Sequence, residues 1–250
     1  MNLILIDPNE IHLDRVVLTD RRCQHILKIL RAEAGDTLKI GIINSHIGTG
    51  LIENLSPKAV TLKINATTPP PPKVPTRLIL ALPRPIMLKR VLSQAASLGV
   101  EHIYLIKANR VEKSYYSASI MAEAALNEAL RLGLEQAMDC LLPRITVHTR
   151  FRPFIEDVLP PLLSEDTVSL IAHPEPPAFL DPGLLPTPNT PVAVAIGPEG
   201  GWVDYEIQRF HELGFISFSL GPRILRVDTA VPAILSQLDL LRHLKTGVQQ

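Results

Sequence analysis

The chain of 250 residues contains only two cysteines, Cys23 and Cys140, and neither stands in a C-x-x-C pair or at metal-ligand spacing. A disulfide framework, a dithiol redox centre and a cysteine zinc site are therefore excluded, and both thiols are read as reduced and structural. Long hydrophobic runs are missing as well. No segment reaches the roughly 18 to 20 uninterrupted apolar residues that a membrane span needs. The opening Met1-Asn2-Leu3-Ile4-Leu5-Ile6-Asp7 has no basic lead and meets an acid too early for a signal peptide, so the expected location is the cytoplasm. The dinucleotide fingerprint G-x-G-x-x-G and the phosphate loop ending in G-K-[ST] are absent. So are a nucleophile elbow, zinc spacing of any kind and an EF-hand loop, and no metal is expected. No solenoid repeat is present.

Charge of one sign is also lacking: 25 Lys+Arg balance 25 Asp+Glu. Such neutrality argues against a nucleic-acid partner, which usually shows as a basic excess. Local counting reverses that argument. Residues 1–72 carry 8 basic against 7 acidic residues, residues 73–113 carry 8 against 2, and residues 114–250 carry 9 against 16, net +1, +6 and −7. The middle segment, with Lys73, Arg77, Arg84, Lys89, Arg90, Lys107, Arg110 and Lys113, is either a solvated surface or the contact face for an anionic partner.

Prolines place the domain boundary. The run Thr67-Thr68-Pro69-Pro70-Pro71-Pro72-Lys73-Val74-Pro75 is expected to form neither helix nor paired strand, only a stiff, extended spacer. The expected division is a small β-rich module at 1–68, a linker at 69–76 and a larger domain at 77–250. In the first module, strands are predicted at 38–43, 50–55 and 59–64, with one helical patch at 22–31. After the linker, strands and helices alternate, which favours a parallel α/β sheet. Strands are predicted at 78–82, 102–106, 145–148, 168–172, 192–196 and 215–220. Helices are predicted at 86–98, 118–138, 154–163, 205–213 with Asp204 as N-cap, and 228–244. Residues 173–191, with Pro174, Pro176, Pro177, Pro182, Pro186, Pro188 and Pro191, form a long irregular loop of the kind that is usually functional or disordered.

Two glycine-proline turns carry the chemistry. Ile196-Gly197-Pro198-Glu199-Gly200-Gly201-Trp202 and Leu220-Gly221-Pro222-Arg223-Ile224-Leu225-Arg226-Val227-Asp228-Thr229-Ala230 each follow an apolar strand and precede a helix. Open α/β sheets bind ligands at such strand exits. The first turn is nearly free of side chains and suits either a tight turn or a flat ligand pressed against backbone. In the second, Arg223 and Arg226 beside Asp228 form either an internal ion pair or a grip on an anionic substrate. His173, at a strand end, is either a base or a bystander.

Taken together, the two turns resemble those of the RsmE-type ribosomal RNA uridine N3 methyltransferases, in the SPOUT class of knotted S-adenosylmethionine enzymes. That family carries I-G-P-E-G-G and L-G-x-R-I-L-R-x-[ED]-T-A; Asp228 stands here where glutamate is usual. The resemblance extends to His25-Ile26, Leu30-Arg31 and Gly35-Asp36 of a PUA-like module, to Lys89 through Leu98-Gly99-Val100, to Arg110-Val111-Glu112-Lys113, and to Glu135-Gln136 with Leu142-Pro143. It departs where the family has an arginine shortly after its glutamine; Ala137-Met138-Asp139 supplies none. The early Arg-Phe pattern is also absent.

What the resemblance implies is a PUA-like β-barrel followed by a SPOUT α/β domain with a trefoil knot in about 168–244. S-adenosylmethionine would sit among three loops: Ala172 and His173; Ile196, Gly197, Pro198, Glu199, Gly200 and Gly201; and Leu220, Gly221, Arg223, Ile224 and Leu225. Arg226 and Asp228 would be catalytic, with Asp228 or a water taking the N3 proton. RNA contacts would come from His25, Lys28, Arg31, Arg84, Lys89, Arg90, Arg110 and Lys113. The partners implied are 16S ribosomal RNA or the small ribosomal subunit, and a second copy in a homodimer. Rival readings are another SPOUT activity, such as ribose 2′-O methylation or transfer-RNA modification, and a non-catalytic assembly factor.

Overall fold

The computed structural model describes residues 2–175 and 179–246, so Pro176 and Pro177 of the long loop lie outside the described residues. Contacts divide the chain into two units. One is Met1–Pro72 with Arg131–Leu142; the other is Lys73–Leu130 with Pro143–Gln250.

The first unit is built on five strands: β1 (Ile4–Ile6), β2 (Arg15–Leu18), β3 (Thr37–Ile42), β4 (Ile47–Ser56) and β5 (Ala59–Thr68). They lie in the order β1-β3-β4-β5-β2; among the described residues the outer strands β1 and β2 do not pair, so the sheet is a half-barrel open at that seam. Alternation along β2 turns Val16 and Leu18 inward, where they meet Ile4, Ile6, Cys23, Ile26, Ile40, Ile52, Val60 and Leu62. Helix α1 (Arg21–His25) runs into a wide turn at Ile26–Leu30 rather than continuing as α-helix to 31. Arg31 closes it at φ 51°.

The first unit pairs its charges internally. Buried Arg22 donates to Glu10 and Asp20 and to the Leu5 carbonyl at 2.7 Å. Glu135, 2% exposed, takes both arms of Arg21 at 2.8 and 3.0 Å, and Arg131 reaches Asp7 at 3.1 Å. Both cysteines are buried here, outside any disulfide.

The second unit contains β6 (Val74–Ala81), α2 (Pro85–Ser97), β7 (Val100–Ile106), α3 (Glu123–Ala137, its last turns counted in the first unit), β8 (Arg144–His148) and the single turn α4 (Phe151–Pro153). These are followed by β9 (Val168–Ala172), β10 (Val192–Ile196), α5 (Asp204–Glu212), β11 (Ile216–Phe218) and α6 (Val227–Thr246). All six strands are parallel, in the order β11-β9-β10-β6-β7-β8. Every residue of β10 is buried, as are Leu78, Ile79, Leu80 and Ala81 of β6, which is why these strands read as unbroken apolar runs. Parallel strands end at one edge of the sheet. The chain leaves β6 toward β7 and β8 on one side, and builds β9, β10 and β11 on the other. The crevice beyond that change of direction is where such sheets bind ligands.

Several local expectations are corrected. Thr67 and Thr68 end β5, and Val74-Pro75 begins β6, so only 69–73 are unpaired spacer; Pro75 is accommodated because the pairing with β7 shifts register between Val74 and Arg77. Residues 113–121 form two 3-10 turns before α3 starts at Glu123, where serine hydroxyls compete for backbone, as Ser117 does at the Ser114 carbonyl, 2.9 Å. The helix expected at 154–163 continues from Phe151 only to Val158 and is ended by Pro160 and Pro161, which lack the N–H a continuous helix needs. Val203, not Asp204, caps α5, because the buried Glu206 carboxylate accepts the Val203 N–H at 3.1 Å and the Asn109 N–H at 2.7 Å. The end of the long loop is tied down by buried Arg242 on α6, which donates to Pro188 and Thr190 carbonyls and to Thr76 Oγ1. Among the described residues no helix is long and apolar enough to cross a membrane.

Candidate functional site

Three strand exits, after β9, β10 and β11, surround a cavity of about 450 Å³. Its wall includes Ala172, His173, Ile196, Gly197, Pro198, Glu199, Gly200, Gly201, Leu220, Gly221, Arg223, Ile224 and Leu225, so all thirteen residues expected around a cofactor are brought together. The wall is tight behind the first glycine. A Cβ on Gly197 would lie 3.1 Å from Trp202 Nε1 and 3.2 Å from its Cδ1 and Cε2, and Trp202, 5% exposed, is held by Phe210 with ring centroids 5.2 Å apart. Gly201 and Gly221, at φ 76° and 123°, make turns that few other residues adopt. His173 Nδ1 accepts the Glu175 N–H at 3.1 Å.

Arg110 closes one side from the segment after β7. Its guanidinium donates to the Gly200 carbonyl, and its Cδ lies 3.0 Å from where a Gly200 Cβ would stand. The cavity fits a ligand with a flat, partly apolar body: glycine backbone on one face, Trp202, Phe218, Val227, Ala230 and Ile234 around it. Among the described residues the Trp202 Nε1 N–H, buried beside this wall, has no protein partner.

A second cavity of about 370 Å³ adjoins the first, sharing Glu199, Arg226 and Val227, and is completed by Arg84, Ile86, Met87 and Asp228. The Asp228 side chain, 10% exposed at the start of α6, has Arg226 Nε 3.5 Å from Oδ1 and Arg90 Nη1, from α2, 3.4 Å from Oδ2. Among the described residues Oδ1 has no hydrogen-bond partner. Glu199 Oε1 accepts the Arg84 N–H at 3.0 Å, tying the glycine turn to the N-terminus of α2. Among the described residues no group of three or more His, Cys, Asp and Glu could hold a metal ion.

Residues 70–239 match the model of an RNA methyltransferase domain, and residues 18–65 that of an RNA methyltransferase PUA domain. The ribosomal RNA small subunit methyltransferase E of Treponema pallidum is 32% identical over 93% of this chain and 88% of its own. The chain belongs to that methyltransferase E family. Its fold is shared with the methyltransferase E of Neisseria gonorrhoeae bound to S-adenosyl methionine, at TM-score 0.77 and 22% identity over 96% of this chain and 98% of that one. A Legionella pneumophila putative methyltransferase, in complex with the same cofactor, gives 0.75 and 25% identity over 96% and 97%.

Within this family member, the basic residues of the middle segment are not one solvated face. Arg77 donates to the Leu162 carbonyl at 2.9 Å, Lys107 to that of Val111, Arg90 pairs with Asp228, and Arg84 and Arg110 line the two cavities. Lys89 and Lys113 are exposed. In the first unit, Lys28 and Arg31 are exposed and His25 is half-buried. Sequence reasoning missed Trp202, Phe218, Met87 and the cavity role of Arg110. Of these, only Trp202 carried a signal, standing directly after the glycine turn.

Proposed function

We propose that this chain transfers a methyl group from S-adenosylmethionine to N3 of a uridine in 16S ribosomal RNA. The observation that carries the reading is the pair of adjoining cavities, one walled by glycine turns and the other holding a carboxylate oxygen without a hydrogen-bond partner. When bound, S-adenosylmethionine supplies a methyl group on a positively charged sulfur, which the methyl leaves for a nucleophile. The residues present fit it: the 196–201 turn, whose glycines let Trp202 and Arg110 pack close behind it, would seat the adenosine against backbone, and the 172–173 and 220–225 segments would enclose the remainder.

The chain's own residues then act on the base. Asp228 accepts the N3 proton, directly or through a water, which frees on N3 the in-plane lone pair that a methyl group needs. Arg226, across the shared wall, places positive charge beside the base oxygens as the ring becomes anionic; a donor so aimed is worth roughly 100-fold or more in rate. Holding both reactants in adjoining cavities supplies further kcal/mol by orientation. The base must leave its stack to arrive. In this reading the first unit holds the RNA, with His25, Lys28 and Arg31 as contacts, 69–73 form the linker, and the second unit carries the chemistry with Lys89 and Lys113 at the RNA. The trefoil knot in 168–244, a cytoplasmic location and a homodimer belong to it too. Exposed Ile224, Leu240 and Leu244 offer apolar surface for a second copy.

The test combines calorimetry with S-adenosylmethionine and mass spectrometry of nuclease digests of small subunits incubated with protein and cofactor. The expected product is 3-methyluridine. A ribose-methylated or transfer-RNA product would reassign the chemistry, and failure to bind the cofactor would favour an assembly factor.

A further inference from the structure

We infer that the second cavity is a uracil-reading pocket in which Arg84, Asp228 and Arg226 present a donor–acceptor–donor edge that admits uracil and rejects cytosine. This rests on the methyl-transfer reading and deepens it by assigning the choice of base to named side chains.

The walls of the cavity divide by chemistry. Ile86, Met87 and Val227 are apolar and suit the faces of a flat ring; Arg84, Glu199, Arg226 and Asp228 are charged and suit its rim. Glu199 is exposed and gives Oε1 to the Arg84 backbone N–H, whereas Asp228 is the acceptor that brings a buried oxygen without a hydrogen bond to the cavity. Among the described residues its Oδ1 is buried with no hydrogen-bond partner, and Arg226 Nε lies 3.5 Å from it. A buried carboxylate oxygen without a hydrogen bond is costly, and an N–H from the occupant would relieve it. Arg226, whose side chain is 75% exposed, makes a long contact of 3.5 Å to Met87 Sδ, which leaves most of its five-donor fork for a ligand. Arg90, outside the cavity wall, holds Asp228 Oδ2 at 3.4 Å and acts as a positioning residue.

A base taken out of its stack is read along its Watson–Crick edge. Uracil offers O2, N3–H and O4 there, an acceptor–donor–acceptor row complementary to guanidinium, carboxylate, guanidinium. Cytosine offers O2, a bare N3 and an amino group. In the same pose it sets a lone pair against Asp228 and an N–H against a guanidinium. Sites that leave buried polar groups opposed or unpaired reject the wrong ligand strongly.

The experiment uses the 16S fragment on which 3-methyluridine forms, and the same fragment with that uridine replaced by cytidine. Binding of each is measured with saturating S-adenosylhomocysteine, for the wild type, Asp228→Asn and Arg84→Gln. The wild type is expected to prefer the uridine RNA by at least about 10-fold. Asp228→Asn, whose amide can turn either its oxygen or its N–H to the base, should bring the ratio within about 2-fold. Arg84→Gln, at an exposed side chain, should lower it at least about 3-fold. S-adenosylhomocysteine affinity within about 2-fold of wild type shows that each variant is folded. A wild type without preference, or an Asp228→Asn variant that keeps it, overturns the inference even if 3-methyluridine still forms. Absence of 3-methyluridine from the wild-type product overturns the parent reading, and this one with it.

Discussion

The first cavity is walled largely by peptide groups and apolar side chains of the segments 172–174, 196–201 and 220–225, whereas the second takes its character from Arg84, Glu199, Arg226 and Asp228. The difference predicts how each fails. A site made of backbone is defined by what is missing from it, so added bulk destroys it and changes of charge matter little. A site made of side chains tolerates bulk at its rim and fails when a donor or acceptor changes sign.

The largest test of this contrast is Gly197→Val. The new Cβ would lie about 3.1 Å from Trp202 Nε1, and the two γ-methyls would crowd further against a ring that Phe210 prevents from retreating. Affinity for S-adenosylmethionine, measured by calorimetry, should fall at least about 100-fold, about 2.8 kcal/mol. A variant that keeps wild-type affinity would show that the glycine turn is not the cofactor wall.

Arg110→Ala sharpens the contrast at a charged side chain of the backbone-built cavity, the one that packs against the glycine turn itself. Its aliphatic stem packs under Gly200 while its guanidinium serves a carbonyl of the protein, so its work is to hold the turn. Cofactor affinity should drop about 10-fold, about 1.4 kcal/mol, with RNA affinity at fixed salt changed less than 2-fold. The reverse pattern would return Arg110 to the RNA contacts.

Sequence and structure agree best where chemistry is local. The glycine turns, the apolar β6 and β10 and the capping Gly99 announce themselves within a few residues, because close approach, burial and positive φ each demand a particular side chain or none. Arg110 shows the limit. It meets Gly200 across 90 residues, and nothing in Arg110-Val111-Glu112-Lys113 distinguishes a guanidinium that holds a turn from one that holds phosphate. The same applies to Glu135, which reads as one acid among several on a helix, yet is buried against Arg21. The strands Ile4–Ile6 and Arg15–Leu18 are too short for periodicity to be counted, and they exist because the sheet supplies their partners. The assignment of 131–142 to the first unit depends on such distant pairings, since Glu135 and Arg131 reach residues more than 100 positions away.

Glu199 is where the contrast between the cavities should be weakest, because it lines both. Its carboxylate is not spent on a ligand: Oε1 accepts the backbone N–H of Arg84, the residue that caps α2 ahead of Pro85. A helix N-terminus has N–H groups without partners inside the helix, and a side chain from elsewhere that satisfies one fixes the start of the helix in place. Through this bond the glycine turn and the segment bearing Arg84 are held together, so the wall common to both cavities moves as one piece. Glu199→Gln keeps an oxygen acceptor for the same N–H, and both cofactor and RNA affinities should stay within about 2-fold. Glu199→Ala removes it. A hydrogen bond of this exposed kind contributes about 0.5–1 kcal/mol, so both affinities should weaken together by roughly 3-fold to 5-fold. The pairing of the two losses is the informative part. If alanine weakens cofactor binding and leaves RNA binding alone, Glu199 belongs to the first cavity and the Arg84 bond carries no coupling. If glutamine is as damaging as alanine, the negative charge matters in itself, and Glu199 must then be counted with Asp228 as part of the pocket that reads the base.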